Sequence, residues 1–367
     1  RRRALCRRRR RHGMTTTLSS LPLPPSIQLK LAAAGFTSVG DFDGLSAAEL
    51  AEDLAVEPRE AQKLLAQVRS SLEVQPRDLK TKSALQLLNE ERASNPITTF
   101  VKDLDNLLGG GVALGQLTEF AGVPGVGKTQ LGMQLAVDVH MPEAFGGLGG
   151  EAVYIDTEGS FLAERVAEMA KALLAHLDML AHRERQPEQL AALATLDINR
   201  LLAGIHCFRV HDAAEQLAVV RKLPSFLLQR PKVKLLVVDS IAFHFRHGIA
   251  RDAAQRLQML GQLTQSLTDL AARQPLAAVL INQVTTRVNS ASNTSALAPA
   301  LGESWGHACN VQLMLQWAEG EREARLYKGG APGAARFQVT AQGVRGVAAQ
   351  RTATKRSAAE AGADEDE

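Results

Sequence analysis

Gly122-Val123-Pro124-Gly125-Val126-Gly127-Lys128-Thr129 is a stretch of this 367-residue chain whose residue types and spacing already specify a chemistry. It fits G-x-x-x-x-G-K-[ST] at every fixed position. The glycines let the backbone wrap a phosphate without Cβ clashes, so that successive N–H groups point inward as an anion nest. Lys128 adds a point charge at the β- and γ-phosphates, and the Thr129 hydroxyl is placed to ligate Mg2+. A helix beginning there would add the positive end of its dipole. The expected ligand is ATP, taken with Mg2+ by Gly122, Val123, Pro124, Gly125, Val126, Gly127, Lys128 and Thr129.

Three further sites complete a phosphoryl-transfer set. Leu235-Leu236-Val237-Val238-Asp239 reads as a buried strand with an acid at its carboxyl end, where Asp239 would face the Mg2+ directly or through water. Tyr154-Ile155-Asp156-Thr157-Glu158 offers Glu158 as the base that orients or deprotonates the attacking water, with Asp156 as a structural acceptor. The competing reading of Glu158 is a solvated loop acid. Ile281-Asn282-Gln283-Val284 ends another strand, and the Gln283 amide can donate to a γ-phosphate and move when it leaves.

These residues need a scaffold, and the patterning supplies one. Apolar runs of strand length at Leu117–Ala121, Ala152–Ile155, Ile205–Val210, Leu235–Val238 and Ala277–Ile281 alternate with helical patterns. The latter run from Thr129 towards Val139, from about Leu162 to His176, and from Asp252 to Ala272. A polar stretch around His182–Gln189 reads as a surface loop. Alternation of this kind implies a parallel sheet covered on both faces. Val311–Trp317, Arg322–Lys328 and Arg336–Thr340 follow with only turns between, which predicts an antiparallel extension. Residues 99–345 therefore form an α/β P-loop ATPase domain. Before it, residues 26–74 read as a small all-α domain of short helices, capped at Ser46 and near Glu57-Pro58, resembling a helix-hairpin-helix module. Residues 75–98 read as a polar linker with one apolar stretch, Ala84–Leu88. Residues 1–25 and the acidic tail 346–367 are expected to be disordered.

Composition narrows the class. An apolar share of 45% supports a buried core. No run approaches the roughly 18 apolar residues of a membrane span, so no membrane partner is expected. The formal charge of +3 is misleading: eight arginines fall within residues 1–13, and without them the balance becomes −5. Residues 1–13 are expected to be translated leader or a wrongly assigned gene start rather than native chain, with a nucleic-acid arm or an organelle presequence, mitochondrial for instance, as competing readings. Cys6, Cys207 and Cys309 are scattered, which suggests neither zinc nor a disulfide framework and fits the cytosol or nucleus.

GVPGVGKTQ, YIDTEGSF, LLVVDS and INQV, in this order, are similar to the Walker motifs, catalytic-glutamate loop and γ-phosphate sensor of the RecA/eukaryotic recombinase family. The likeness spans about residues 20–345. PEAFGGLGGEAVYIDTEGSF, IAFHFRH and PALGESWGHA more narrowly resemble the C paralog branch. The resemblance implies a RecA-type core and a DNA-dependent ATPase with Lys128, Glu158 and Gln283 catalytic and Thr129 and Asp239 at the metal. It makes His244–Asp252 and Thr285–Glu303 the DNA loops, with Arg246, Arg251 and Arg287 as contacts. The second loop is long, polar and free of secondary-structure pattern, and neither offers an aromatic platform beyond Phe245. His307 would lie near a nucleotide at a subunit interface. Read from the residues alone, it is a structural histidine.

The implied partners are DNA (single strands and junctions), sibling recombinase paralogs and the main recombinase filament, in the nucleus and also the cytoplasm. The implied function is homologous-recombination repair, with an assembly scaffold that uses ATP as interface glue as the alternative. A ring helicase fits the N-terminal domain and the antiparallel extension poorly.

Three positions depart from the family pattern. The hook Phe of filament-forming members is missing near Ser83-Ala84-Leu85, which puts self-polymerisation in question but leaves docking to a sibling. Of the usual basic import run only Lys355-Arg356 remains. Lys328 stands where filament-forming relatives carry an acid that holds a monovalent cation at a neighbour's ATP. It is either a built-in replacement for that cation or a strand-end lysine exposed to water.

Overall fold

The computed structural model describes residues 31–72 apart from positions 33, 37–38, 43–44 and 55, then 82–247, 253–289 and 294–347. The expectations for residues 1–25, the tail, part of the linker and Arg251 lie outside these residues. The chain divides into two compact units, Arg1–Asn89 and Glu90–Glu367.

In the first unit, α1 (Ala47–Leu54) and α2 (Pro58–Leu72) pack around Leu31, Phe36, Phe42, Leu50, Leu64 and Leu65. Helix α1 starts where the sequence signals it. The Ser46 hydroxyl accepts from the Glu49 N–H at 3.3 Å, and the Glu49 carboxylate accepts from the Ser46 N–H at 3.0 Å. This capping box satisfies two N–H groups that the helix itself cannot. The stretch expected to be linker carries a helix, α3 (Ala84–Ala93), opened by the same device: Gln86 N–H donates to Ser83 Oγ and Ser83 N–H to Gln86 Oε1.

The second unit is built on a ten-stranded sheet: β1 (Leu117–Gly122), β2 (Glu151–Asp156), β3 (Ile205–Arg209), β4 (Val233–Asp239), β5 (Ala277–Asn289), β6 (Thr294–Pro299), β7 (Val311–Ala318), β8 (Glu321–Lys328), β9 (Ala334–Thr340) and β10 (Gly343–Gly346). Its order is β10-β9-β8-β7-β1-β5-β4-β2-β3, with β6 paired to β5. The strands from β7 to β3 in that order are parallel. From β7 outward to β10 the pairing is antiparallel, as expected, although β10 was not foreseen.

Alternation along each central strand feeds two cores. Leu235 and Val237 of β4 join one, Leu236 and Val238 the other; Ala277, Val279 and Ile281 of β5 are likewise separated from Ala278 and Leu280. Strands buried on both faces read as unbroken apolar runs, which is why these were visible in the sequence. One face is covered by α4 (Lys102–Leu107), which buries Leu104, by α5 (Lys128–Asp138), buried from Leu131 onward, and by α6 (Ala163–Glu184). The other is covered by α9 (Ala213–Leu228) and α11 (Ala253–Arg273).

Two loop expectations are corrected. Helix α6 runs to Glu184, and α7 (Pro187–Leu193) follows after only two residues, so most of the supposed loop at His182–Gln189 is helical. Leu177 and Ala181 continue the buried stripe of Met169 and Leu173 past His176, which keeps the helix on the sheet. The segment Thr285–Glu303 is also mostly ordered: β5 continues to Asn289, β6 pairs back on it from Val284↔Pro299 to Asn289↔Thr294, and α12 (Glu303–Ala308) begins at its end. Thr285, Thr286 and Val288 are β-branched and suit a strand, but with Arg287 and Asn289 among them they leave no apolar alternation to read. Helix α10 (Phe243–His247) occupies the start of the other segment and α8 (Ile198–Ala203) precedes β3.

Candidate active site

Sheet register brings the functional strand ends together. Gly122 of β1 lies opposite Gln283 of β5, Asp239 of β4 opposite Ile281, and Asp156 of β2 opposite Asp239. The carboxyl ends of parallel strands form the crevice in which ligands of α/β sheets bind.

The phosphate loop leaves β1 at Gly122, where a Cβ would lie 2.4 Å from the Leu315 carbonyl oxygen of β7. It enters α5 at Gly127, whose φ of 106° only glycine adopts freely. Lys128 Nζ donates to the carbonyls of Gly122 and Val123 at 2.8 and 2.9 Å, across the mouth of the loop. Burial lowers its pKa from the usual value, and the charges of Asp239 and Glu158 oppose that shift.

Asp239 is 2% exposed. It accepts from Tyr154 Oη at 2.8 Å and from the Thr129 hydroxyl. Burial pushes its carboxyl up to about 6, against the pull of those two donors. Thr157 pins the strand ends, donating from Oγ1 to the Ser240 carbonyl at 2.9 Å and accepting from the Ser240 N–H at 2.7 Å. Asp156 accepts from the N–H groups of Ser160 and Phe161, which makes it the structural acceptor that shapes the turn carrying Glu158. Glu158 is exposed and accepts from Gln283 Nε2 at 3.0 Å.

Asp239 and Thr129 fit Mg2+: a hard cation takes oxygen ligands, with few from protein and the rest from phosphate and water. Among the described residues no group of three or more His, Cys, Asp or Glu could hold a metal.

The expected DNA residues are only partly brought here. Arg246 is exposed on α10, and its Nη1 donates to Gln283 Oε1. Phe245 is 1% exposed in the core, so it offers no stacking surface, contrary to expectation. Arg287 lies on β5, four residues beyond the end of the β1–β5 pairing at Gln283.

His307 is exposed on α12. Lys328 Nζ donates to the carbonyls of Gly306, His307 and Cys309 at 2.9, 3.1 and 2.6 Å, capping the carboxyl end of α12. The exposed strand-end lysine is thus excluded. Within one chain all three donors of this ammonium are used, and a nucleotide on a neighbouring subunit would have to draw it away from them.

Glu119 escaped the sequence reading. It lies in the middle of β1, fully buried, and accepts from Asn282 Nδ2 at 2.6 Å, Trp305 Nε1 at 2.9 Å and Gln312 Nε2. Burial raises its pKa, which these donors and the charge of Lys328 oppose. It ties the phosphate-loop strand to β5, α12 and β7. Its signal was an acid at the centre of a strand, Leu-Thr-Glu-Phe-Ala-Gly, that is buried at every position.

A Rad51 family model matches the chain over residues 92–181 and 176–347. The DNA repair protein RAD51 homolog 3 of Cricetulus griseus is 44% identical over 344 residues, covering 91% of this chain and 93% of its own length. The protein of the same name in Dictyostelium discoideum is 41% identical over 249 residues, 67% of this chain and 64% of its own. The DNA repair and recombination protein RadA of Metallosphaera sedula is 31% identical over 323 residues, 86% of this chain and 91% of its own.

Proposed function

The chain belongs to the Rad51 family, and from that membership and the geometry of its strand ends we propose an ATP-dependent, DNA-binding subunit of a homologous-recombination repair complex. The observation that carries this reading is the convergence of Lys128, the Thr129–Asp239 pair and the Glu158–Gln283 pair at one end of the sheet. The phosphate loop holds the triphosphate, with Lys128 turning from its carbonyls to the β- and γ-phosphates. Asp239 and Thr129 hold Mg2+, which neutralises charge on the transferring phosphoryl group when bound. Glu158 takes the proton of the attacking water. Gln283 donates to the γ-phosphate and, as part of β5, reports its loss to the β5–β6 hairpin. That hairpin, with Arg287, and Arg246 beside it supply the DNA contacts.

The relatives named for DNA repair support placing this work in the nucleus with DNA, sibling paralogs and the recombinase filament as partners. Phosphate turnover measured with and without single-stranded DNA tests the reading. Stimulation by DNA is expected, with a binding slope of about −0.7 per phosphate contact against log salt. Nucleotide binding without turnover under any condition would instead make the chain a scaffold that uses ATP at an interface.

A further inference from the structure

Gln283 bridges two groups of opposite charge. Arg246 Nη1 donates to its Oε1, and its Nε2 donates to Glu158 Oε1 at 3.0 Å. Arg246 can only donate and an ionised Glu158 can only accept, so the two charges together fix which way round the amide lies. The backbone of Gln283 is held independently. Its N–H donates to Asn282 Oδ1 at 2.8 Å, and its carbonyl accepts from the Ala300 N–H at 2.8 Å. Arg246 is anchored too, on a helical turn whose Phe245 is in the core and whose approach is fixed by the Ile241 N–H on the Ile281 carbonyl at 2.9 Å. Only the side chains of the bridge are free to rearrange, and Arg246 and Glu158 are exposed.

We propose that Arg246 is a positioning residue that holds Gln283 on Glu158 while no DNA is bound, and that a DNA phosphate releases the clamp by drawing the guanidinium away. The exchange is favourable because a guanidinium bonds a phosphate about twice as strongly as a neutral amide oxygen. In the clamped state one Glu158 oxygen and the Gln283 NH2 are taken up by each other. Release frees the acid for water and the amide for the γ-phosphate. The inference rests on the reading of the chain as a DNA-binding ATPase, and adds a direct route from the first DNA segment to the catalytic acid.

The test is equilibrium binding of a fluorescent, non-hydrolysed ATP analogue with Mg2+, with and without oligo-dT. It uses the full chain, its Arg246→Ala and Arg246→Lys variants, and ADP as the control ligand. Saturation by DNA is verified by anisotropy for each protein. Wild-type affinity for the analogue should rise on the order of tenfold with DNA, the usual scale of coupling between sites. Arg246→Ala should already show the tighter affinity without DNA and gain nothing further from it, whereas Arg246→Lys, which retains a single point charge, should fall between. ADP lacks the γ-phosphate and should respond to neither change. A variant that keeps the full DNA-dependent rise, or binds the analogue no more tightly than wild type without DNA, would overturn the clamp alone. A wild-type chain that binds no nucleotide would overturn the ATPase reading and the clamp with it.

Discussion

The two sides of the active crevice hold their charges by different means. On the phosphate side, Asp239 is buried, accepts from Tyr154 and Thr129, and sits on a central strand with core on both faces. Lys128 is half-buried against its own loop. On the sensor side, Glu158 and Arg246 are exposed, and one amide, that of Gln283, connects them. A buried strand end is costly to rearrange, so it suits a ligand that must always meet the same geometry. Exposed side chains joined by one bridge rearrange cheaply, so they suit a group that must respond to ligand and DNA. Substitutions on the first side should therefore abolish binding, and those on the second should change response.

The largest expected effect is on the phosphate side. Lys128→Ala should weaken Mg-ATP binding by about 100-fold, equivalent to about 2.7 kcal/mol, within the range of one or two hydrogen bonds to charged groups. Isothermal calorimetry checks this, and unchanged affinity would mean that the buried side is not where phosphate binds.

Asp239→Asn sharpens the comparison further. A carboxyl raised to about 6 in the folded protein, from an ordinary value of 3.8, binds protons that the unfolded chain has already lost. Stability should therefore fall as pH rises from about 4 to about 6, by at most about 3 kcal/mol in all. The Asn variant should flatten that fall and melt at higher temperature than wild type at neutral pH without metal, while losing its stabilisation by Mg-ATP. In wild type, Mg-ATP affinity should decline below about pH 6 as Asp239 takes up its proton. Thermal melts and calorimetry across pH 4–7 decide it. A variant no more stable than wild type would show that burial of this charge carries no cost.

What was legible in the sequence divides along the same line. The phosphate loop, the strands at β1, β2, β4 and the start of β5, and Asp239 announce themselves because a strand buried on both faces has no alternative but an apolar run. The β5–β6 hairpin was read as loop because Thr285, Thr286, Arg287 and Asn289 break any apolar alternation along its first strand. Helix α3 was passed over although Ser83 and Gln86 spell a capping box, since Leu85, Leu87 and Leu88 remain largely exposed and the helix has no buried stripe. Glu119 was missed, and the bonds of Lys328 were not foreseen, for a common reason. Their roles depend on partners far away in sequence, Trp305 and Gln312 for the one and the carbonyls ending α12 for the other, which no local pattern encodes.

In the proposed function this crevice both holds ATP and hydrolyses it, with Glu158 as the base. The most direct measurement is single-turnover cleavage of prebound ATP by wild type and Glu158→Gln, with binding measured in parallel. The isostere keeps the shape of the side chain and removes only the proton acceptor. Affinity should stay within about threefold, while cleavage slows by at least about 100-fold, the usual contribution of a general base. Cleavage by Glu158→Gln at the wild-type rate would contradict the account and place the base elsewhere.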